Sequence, residues 1–160
     1  MKTAETLIVE KVLLKGCFGS NPKLAREYGV SEVTIGFQRN GNGREVADFV
    51  SYDPKKDIFR CYEIKVSMQD LKSSAKKSWY GNYNYLVITQ ELFEKKDIDF
   101  WHVAVPADVG IIIVNTKNLC RKAVKRSRYA DIDINVKNML KDSMIRTLFY
   151  KNAKINTISE

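Results

Sequence analysis

Two apolar segments with polar residues inside them dominate the pattern of the chain. They cover residues 46–52 and 58–66, and the sequence Asp-Pro-Lys-Lys-Asp separates them at 53–57. Both are rich in β-branched and aromatic residues, a pattern that predicts a β-hairpin. Asp53 suits the first position of a type I turn and Pro54 the second, so residues 54–57 are expected to form a four-residue loop.

This turn sets the pairing of the two strands. Tyr52 then faces Phe59, and Asp48 faces Glu63. Opposed side chains lie on one face of a sheet, and alternation along the second strand adds Lys65 to that face. A loop longer by one residue would shift the register and send the two acids to opposite faces. The preferred register predicts that two carboxylates and an ammonium group meet inside an apolar hairpin.

Hydrophobic spacing predicts further elements on both sides of the hairpin. The expected helices cover 3–15, one or two turns within 23–28, a helix that starts after Ser67, 91–96 and 135–150, and the expected strands cover 33–37, 84–89, 101–105 and 111–114. The helix between strands 58–66 and 84–89 predicts a parallel crossover. The sequence therefore predicts an α/β fold with a central mixed β-sheet flanked by helices.

The last predicted helix has an apolar stripe at Val136, Leu140, Met144 and Leu148. Helical spacing of this kind buries one side of a helix. The stripe would pack either on the same domain or on a second subunit in a homodimer, and the sequence leaves both alternatives open.

Composition narrows the class of protein. A chain of 160 residues with 44% hydrophobic and 29% charged residues is expected to form a single domain over 1–160, with a helical extension from about residue 129. The sequence has no membrane-spanning apolar run and no signal-peptide pattern at its N-terminus. Three scattered cysteines indicate the reducing cytoplasm. Because His102 is the only histidine, histidine-based triads are excluded, and His102 itself is expected to be structural.

The net charge of +8 favours a polyanionic partner. DNA suits it better than a membrane surface, because no basic amphipathic helix stands out. The candidate phosphate contacts are Arg39 and Arg44 in a Gly-Asn loop, Lys72, Lys76 and Lys77 after Ser67, and Arg121, Lys122, Lys125 and Arg126 in the densest basic run. Solvated loops and helix faces would account for the same residues, so charge alone does not decide the partner.

The acidic pair in the hairpin carries more chemical information. Two carboxylates about 4 Å apart repel by roughly 4 kcal/mol at an effective dielectric of about 20, so a buried pair needs a shared proton or a cation. Lys65 alone is one candidate partner, and a hard divalent cation such as Mg²⁺ is the other. An Asp, a Glu and a Lys around such a cation suit phosphodiester hydrolysis. The alternative is a strand with one solvent-facing side, on which Glu63 and Lys65 are ordinary surface charges.

The spacing of these residues resembles that of the PD-(D/E)XK nuclease superfamily, with Asp48 followed on the next strand by Glu63-Ile64-Lys65. The flanking sequences narrow the resemblance: EVTIGF at 32–37, ADF at 47–49, YEIKVS at 62–67 and the pattern D..S.AKK at 70–77 look like the MmcB-like DNA-repair proteins, which include phage and mobile-element homologues. The resemblance covers about residues 5–128. It departs at Ala47, where the superfamily motif often has a proline, although that position varies.

The resemblance implies a restriction-endonuclease-like core and a Mg²⁺- or Mn²⁺-dependent DNA endonuclease acting in repair, recombination or phage DNA processing. Asp48 and Glu63 would bind the metal together with the carbonyl of Ile64, and Lys65 would orient the attacking water. Glu10 on the first helix is the candidate for an additional acidic ligand, and Glu27 is a weaker one. For Glu10 the alternative is a glutamate at the helix rim, paired with a lysine.

Two other classes of function remain open at this point. A non-catalytic nucleic-acid-binding module on the same fold would use the basic surface, with Glu63 and Lys65 as an ion pair. An interaction protein would use the apolar stripe of the C-terminal helix, and would lose its dimer when Leu140 and Met144 are made polar.

Overall fold

The computed structural model describes residues 1–36, 45–72 and 79–157 of the protein. Within these ranges the strands are β1 (Tyr28–Ile35), β2 (Glu45–Asp53), β3 (Ile58–Lys65), β4 (Tyr83–Thr89), β5 (Gly110–Asn115) and β6 (Cys120–Lys125). The helices are α1 (Ala4–Phe18), α2 (Met68–Leu71), α3 (Gln90–Glu94), α4 (Ile98–Ala104) and α5 (Ile134–Thr157), with a 3₁₀ turn at Pro22–Leu24.

The described strands form one mixed sheet in the spatial order β1-β2-β3-β4-β5-β6. The β1–β2, β2–β3 and β5–β6 pairs are antiparallel, whereas β3, β4 and β5 run parallel. The predicted α/β fold with a central mixed sheet flanked by helices is confirmed. The parallel pairing of strand 58–66 with the strand that follows α2 is confirmed as well.

The hairpin of β2 and β3 forms in the predicted register from Asp53 back to Phe49, but the predicted pair of Asp48 with Glu63 does not form, because the pairing ends at Phe49–Tyr62. Its pairs include Val50–Cys61, Tyr52–Phe59 and Asp53–Ile58. The Asp53 carboxylate holds the turn, because it accepts hydrogen bonds from the main-chain N–H groups of Lys55 (3.0 Å) and Lys56 (3.2 Å). Asp and Pro at the start of this loop therefore determine the register of the whole pair, as the turn chemistry predicts.

One face of the sheet is covered by α1. Leu13 of α1 packs with Phe49 of β2, Tyr62 of β3 and Val87 of β4 in a single buried cluster. Thr3 caps this helix by accepting a hydrogen bond from the N–H of Thr6 (3.2 Å). The predicted first helix is thus confirmed, and it fixes which side of β3 faces α1.

The opposite face is shared by α5 and by the helices between β3 and β5. Leu140 of α5 packs on Phe59 and Cys61 of β3, while Trp101 of α4 packs on Leu86 of β4. Alternation along β3 then places Glu63 and Lys65 on the same side as Phe59 and Cys61, away from α1.

The start of the chain departs from the prediction between α1 and β1. α1 continues through Phe18, and β1 begins at Tyr28 rather than at residue 33. The helical turns predicted within 23–28 are wrong, since a 3₁₀ turn at Pro22–Leu24 forms instead. Gly29 lies inside β1, where a β-carbon would lie 2.5 Å from Cζ of Phe49. This glycine allows a close packing contact and does not end a helix, which local propensity does not reveal.

Residues 101–105 were predicted as a strand, and that prediction is wrong, because α4 covers Ile98–Ala104. Asp97 caps the helix by accepting a hydrogen bond from the N–H of Phe100 (2.8 Å). Trp101 and Val105 are both buried in the cluster around α3 and α4, and their separation of four residues is a helical spacing. The apolar composition favoured a strand, but burial of one helical side decided the structure. His102 is exposed on this helix.

The long C-terminal helix confirms the prediction for 135–150 and continues to Thr157. Leu140 is fully buried and Met144 is 6% exposed, and both pack against the sheet of the same chain. At these positions the stripe therefore packs on its own domain, whereas Leu148 is 50% exposed. No helix in the described ranges is long and apolar enough to cross a bilayer.

Candidate functional site

The sheet is irregular at Asp48. The pairing of β2 with β3 ends at Phe49–Tyr62, and the pairing of β1 with β2 passes over Glu32 and Asp48. Ala47 and Phe49 belong to clusters on opposite faces, although a regular strand would place them on the same face. Glu32, across from Asp48 in β1, has a φ of 53°, in the left-handed region that side chains other than glycine rarely adopt.

The Asp48 carboxylate occupies the gap that this irregularity opens. Its Oδ2 accepts a hydrogen bond of 2.7 Å from the main-chain N–H of Ile64, in place of a partner from β2. The N–H and C=O groups of one strand residue point to the same edge, so the Ile64 carbonyl points to the same side as its N–H. The structure therefore brings Asp48 next to the main chain of Ile64, as the site hypothesis requires.

Burial and neighbouring charges act on Asp48 in opposite directions. Burial raises the pKa of its carboxyl group, and the carboxylates of Asp70 and Glu10 add to that rise. The Ile64 N–H group and the Lys65 ammonium oppose it, but the net result is a raised pKa. Asp48 is thus a carboxylate in a partly dry, acidic environment, where a further positive charge would be stabilising.

Glu63 and Lys65 form an ion pair at the carboxyl end of β3. The Lys65 Nζ lies 3.2 Å from Oε1 of Glu63, and both residues are 6% exposed. Their neighbours in β4, Leu86 and Ile88, are buried and apolar. Burial works against the charged lysine, but the Glu63 and Asp70 carboxylates outweigh it and raise the pKa of Lys65. The structure therefore holds a protonated lysine at the buried carboxyl end of β3.

Asp70 is a member of this cluster that the sequence hypothesis did not place in the site. Its Oδ1 lies 3.4 Å from the Lys65 Nζ. Ser67 caps α2 as predicted, accepting a hydrogen bond from the N–H of Asp70 (3.1 Å), and so turns the first residues of α2 back toward the end of β3. The signal was in the sequence: Asp70 comes three positions after a helix cap, Ser67, which lies two positions after the Lys of Glu-x-Lys. Its side chain pairs with Lys65 across the chain reversal.

The two glutamates proposed as additional acids lie in different places. Glu10 of α1 is ion-paired with Lys2, and its carboxylate contributes to the raised pKa of Asp48, so it lies within electrostatic range of the site. Glu27 is ion-paired with Arg60 on the α1 face of the sheet. Glu10 therefore acts on Asp48 through its charge while it is paired with Lys2, whereas Glu27 is paired with Arg60 on the α1 face of the sheet.

The donor atoms of this cluster are suitable for a hard divalent cation, although they are few. Among the described residues, no three Asp, Glu, His or Cys side chains gather closely enough to hold a metal ion. Asp48, Glu63 and the Ile64 carbonyl would supply oxygen ligands. Oxygen donors are what Mg²⁺ and Mn²⁺ prefer, and Mg²⁺ usually keeps several waters beside one or two carboxylates. A partly hydrated ion thus suits the chemistry of the residues present.

The predicted phosphate contacts that the structure describes lie in two separate places. Arg39, Arg44, Lys76 and Lys77 lie outside the described residues. Lys72 is exposed at the end of α2, next to the cluster. The remaining four residues lie on or just after β6. Arg121 faces the α1 side of the sheet, and Lys122 pairs with Ile113 of β5. The Lys125 Nζ donates a hydrogen bond to the Pro106 carbonyl (2.7 Å), and Arg126 is exposed. Three strand spacings separate β6 from β3, or roughly 14 Å.

Comparison with known proteins supports the fold and leaves the activity open. No family model matches the sequence, and no curated protein matches it. A protein of unknown function from Silicibacter pomeroyi has a similar solved structure, with a TM-score of 0.58 over 82% of this chain and 80% of that chain. The two sequences are 14% identical, so the likeness extends to the α/β fold and no further.

Proposed function

We propose that the protein is a Mg²⁺- or Mn²⁺-dependent DNA endonuclease of the PD-(D/E)XK type, similar to the MmcB-like DNA-repair proteins. The observation that carries the proposal is the cluster of Asp48, Glu63 and Lys65 at the irregular end of the hairpin, where a buried ammonium group lies among carboxylates. A lysine is rarely buried unless it is paired, and a buried lysine whose pKa is shifted by neighbouring acids is a candidate for a chemical role.

Each residue has a role that follows from its surroundings. Asp48 and Glu63 would hold the cation together with the Ile64 carbonyl, and Glu10 is close enough to act on it through its charge. The bound cation would supply Lewis-acid chemistry at the phosphoryl group. Lys65, kept protonated by Glu63 and Asp70, would orient the attacking water and neutralise the charge that develops on the phosphate.

The wider properties of the chain support DNA as the substrate. The net charge is +8, and exposed basic residues such as Lys72 and Arg126 would contact phosphates in a salt-dependent, sequence-independent manner. Cys17, Cys61 and Cys120 are unpaired, which agrees with a reducing cytoplasm. We place the activity in repair, recombination or phage DNA processing.

A cleavage assay with matched lysine variants tests the proposal. Supercoiled, linear, branched and single-stranded DNA are incubated with the protein in Mn²⁺ and in EDTA, beside Lys65→Met and Lys117→Ala. Lys117 is exposed in the turn between β5 and β6 and controls for the loss of one positive charge. We expect Mn²⁺-dependent cleavage that falls by at least about 10²-fold in Lys65→Met and is kept in Lys117→Ala. Cleavage that survives Lys65→Met would come from a contaminating nuclease.

A non-catalytic nucleic-acid-binding module is the second candidate, and the charge pairing in the cluster favours it. Glu63 and Asp70 already neutralise Lys65, and the N–H of Ile64 already occupies Oδ2 of Asp48. Such a module would bind DNA equally in Mn²⁺ and EDTA, keep its affinity in Glu63→Gln, and cleave none of the DNA forms. Titration calorimetry with Mn²⁺ separates the two candidates, because the nuclease requires metal binding that Glu63→Gln and Asp48→Asn weaken.

A further inference from the structure

An apolar surface borders β1, the first strand in the sheet order, where α1 and α5 both reach it. Its large side chains are between 41% and 68% exposed and are Leu7 and Leu14 of α1, and Ile145, Leu148, Phe149 and Tyr150 of α5. We refer to these six residues as the edge patch. It lies on a different side of α5 from Leu140 and Met144, which are buried against the sheet.

Helical spacing places the α5 members of the edge patch side by side. Leu148 and Phe149 follow Ile145 by three and four positions, so the three side chains are neighbours on the helix surface. The rings of Phe149 and Tyr150 are in edge-to-face contact, with centroids 5.6 Å apart. The C-terminal half of α5 therefore presents a continuous apolar ridge that includes two aromatic rings.

A groove lies beside this ridge, between α5 and α1. Leu148 lines it on the α5 side, and Leu7 and Leu14 line it on the α1 side. Its volume is about 290 Å³, and residues 29–31 of β1 border it as well. The charged side chains around it are Glu10, Lys11 and Lys151. An apolar centre with a polar rim is the usual anatomy of a protein–protein contact surface.

The edge of β1 next to this groove is protected against pairing with another strand. The Lys151 Nζ donates hydrogen bonds to the carbonyl (2.5 Å) and to the hydroxyl (3.0 Å) of Ser31. Glu32 has a φ of 53°, and the pairing of β1 with β2 passes over it. Lysine side chains and local irregularities are common protections of edge strands. The edge patch therefore suits the packing of side chains and not the addition of a β-strand.

We propose that the edge patch binds a second copy of this chain in a two-fold symmetric dimer, in which Phe149 of each copy enters the groove between α1 and α5 of the other. Such a dimer requires a projecting group and a matching groove on one surface, because each copy offers both. Phe149 is 65% exposed and projects beside the groove. A cavity of roughly 150 Å³ holds a benzene ring, so 290 Å³ accommodates the side chain of phenylalanine.

The size of the edge patch agrees with a reversible dimer. Taking about 150–200 Å² for a large side chain that is fully exposed, its six members present roughly 500–660 Å² per copy. Apolar surfaces of this size commonly mark contact sites. Two of them would bury about 1,000–1,300 Å², near the lower limit of about 1,200 Å² for stable protein interfaces. We therefore expect a dimer that dissociates on dilution. None of the six residues belongs to the Asp48 cluster, so this dimer does not depend on the proposed nuclease activity.

Sedimentation equilibrium of the full chain, in a concentration series up to about 1 mM, tests the proposal. We expect the wild-type mass to rise from 18.4 kDa toward twice that value, and to stay at 18.4 kDa in Leu148→Asp and in Phe149→Asp. Val103→Asp is the matched control, because Val103 is 88% exposed on α4, which packs on β4 and not on β1. It adds the same charge and should associate like wild type. Circular dichroism spectra and thermal midpoints verify that each variant is folded.

A charge-swap experiment tests which surfaces meet. Leu14→Lys places an ammonium group in the groove, and Phe149→Glu places a carboxylate on the ridge. Each variant alone should associate more weakly than wild type, because a charge is buried without a partner. An equimolar mixture should regain a dimer, since one of its two contacts pairs the opposite charges and the other is unchanged. A mixture that associates no better than the separate variants would overturn the placement of Phe149 in the groove.

Three results of the sedimentation experiment would overturn the dimer. These are a wild-type mass of 18.4 kDa at every concentration, association that survives both Leu148→Asp and Phe149→Asp, or equal loss of association in Val103→Asp. Flotation with vesicles of anionic phospholipid checks the remaining occupant. A monomer that binds these vesicles, and no longer does so in Phe149→Asp, would assign the edge patch to a membrane surface instead.

Discussion

Replacing Lys65 by methionine tests whether the Asp48 cluster is a buried charge network. Methionine keeps the length of the side chain and removes the ammonium group. Lys65 is 6% exposed and its Nζ lies 3.2 Å from Glu63, which is equally buried. The substitution therefore removes the Lys65 ammonium group from beside the buried Glu63 carboxylate.

The expected loss follows from the burial of both partners. Removing one partner of a buried ion pair typically costs 3–5 kcal/mol, because the other charge is left uncompensated. Glu63 keeps a small exposed fraction, 8% of its side chain, and Asp70 is 42% exposed, so we place the loss at the lower end, about 3 kcal/mol. For a protein of this size that is roughly 9 °C in the melting temperature.

Urea denaturation followed by circular dichroism gives the measurement, in a double-mutant cycle with Glu63→Gln. The double variant should be more stable than the sum of the single losses by about 1–3 kcal/mol, since it leaves neither charge alone. The raised pKa of Lys65 adds a pH test. Its contribution is complete below the unfolded-state pKa of lysine, about 10.4, and is lost as pH rises through the higher folded-state pKa. The gap between wild type and Lys65→Met should therefore narrow in that alkaline range.

A loss below about 1 kcal/mol in Lys65→Met, with no coupling to Glu63→Gln, would refute the reasoning. Solvent-exposed ion pairs contribute about that much or less, so the result would mean that water reaches the pair and screens it. Glu63 and Lys65 would then be surface charges, and the nuclease proposal would lose the observation on which it rests.

Three further predictions concern the fold around the site. The pKa of Asp57 is lowered to about 2, chiefly by the hydrogen bond from Lys137. The stability that this carboxylate contributes above about pH 4 is therefore lost as pH falls toward 2. Asp57→Asn should remove this acid-dependent loss from a series of thermal melts at different pH. Leu140→Ala should cost about 3 kcal/mol in urea denaturation because Leu140 is fully buried, against less than about 1 kcal/mol for the half-exposed Leu148→Ala; equal losses would contradict the packing of α5. Glu32→Gly should stabilise the protein by roughly 1 kcal/mol, since glycine accepts a φ of 53° without strain, and a clear loss in the same assay would mean that the Glu32 side chain is needed.

The hairpin shows how much of the fold the sequence can specify. Asp53 and Pro54 fix the turn, and the turn fixes the register of the pairs as far as Phe49–Tyr62, one residue short of the contact between Asp48 and Ile64. Each step depends on residues close together in the chain. Local interactions of this kind can be predicted from a single sequence, which is why the central mixed sheet and its parallel crossover were also predicted.

The errors arise where distant residues decide the structure. Residues 101–105 have the composition of a strand, yet Trp101 becomes helical because one side of α4 packs on Leu86. Gly29 resembles a helix stop, but it lies in β1 because Phe49 packs against it. No local pattern records these partners, since Leu86 lies 15 residues from Trp101 and Phe49 lies 20 residues from Gly29.

The site shows the same division between local and distant causes. The Glu63–Lys65 pair and the cap at Ser67 follow from sequence pattern, but the interruption of both ladders at Asp48 depends on three strands at once. Arg121 gave a similar result. In the sequence it is one charge in a basic run, and in the fold its guanidinium group lies against Gly16 of α1, where a β-carbon would lie 2.5 Å from its Cζ.

The charge balance of the Asp48 cluster links the irregular strand to its chemistry. A gap in the ladder exposes the N–H of Ile64, and Asp48 satisfies it, so the main chain needs no metal to be stable. Among the described residues, the carboxylates of Asp48, Glu63 and Asp70 then surround the one ammonium group of Lys65, leaving an excess of two negative charges when all are ionised. On the proposed nuclease function, a divalent cation would offset the carboxylates that face the phosphodiester at this end of the hairpin. A module that binds DNA without metal would instead use basic residues elsewhere.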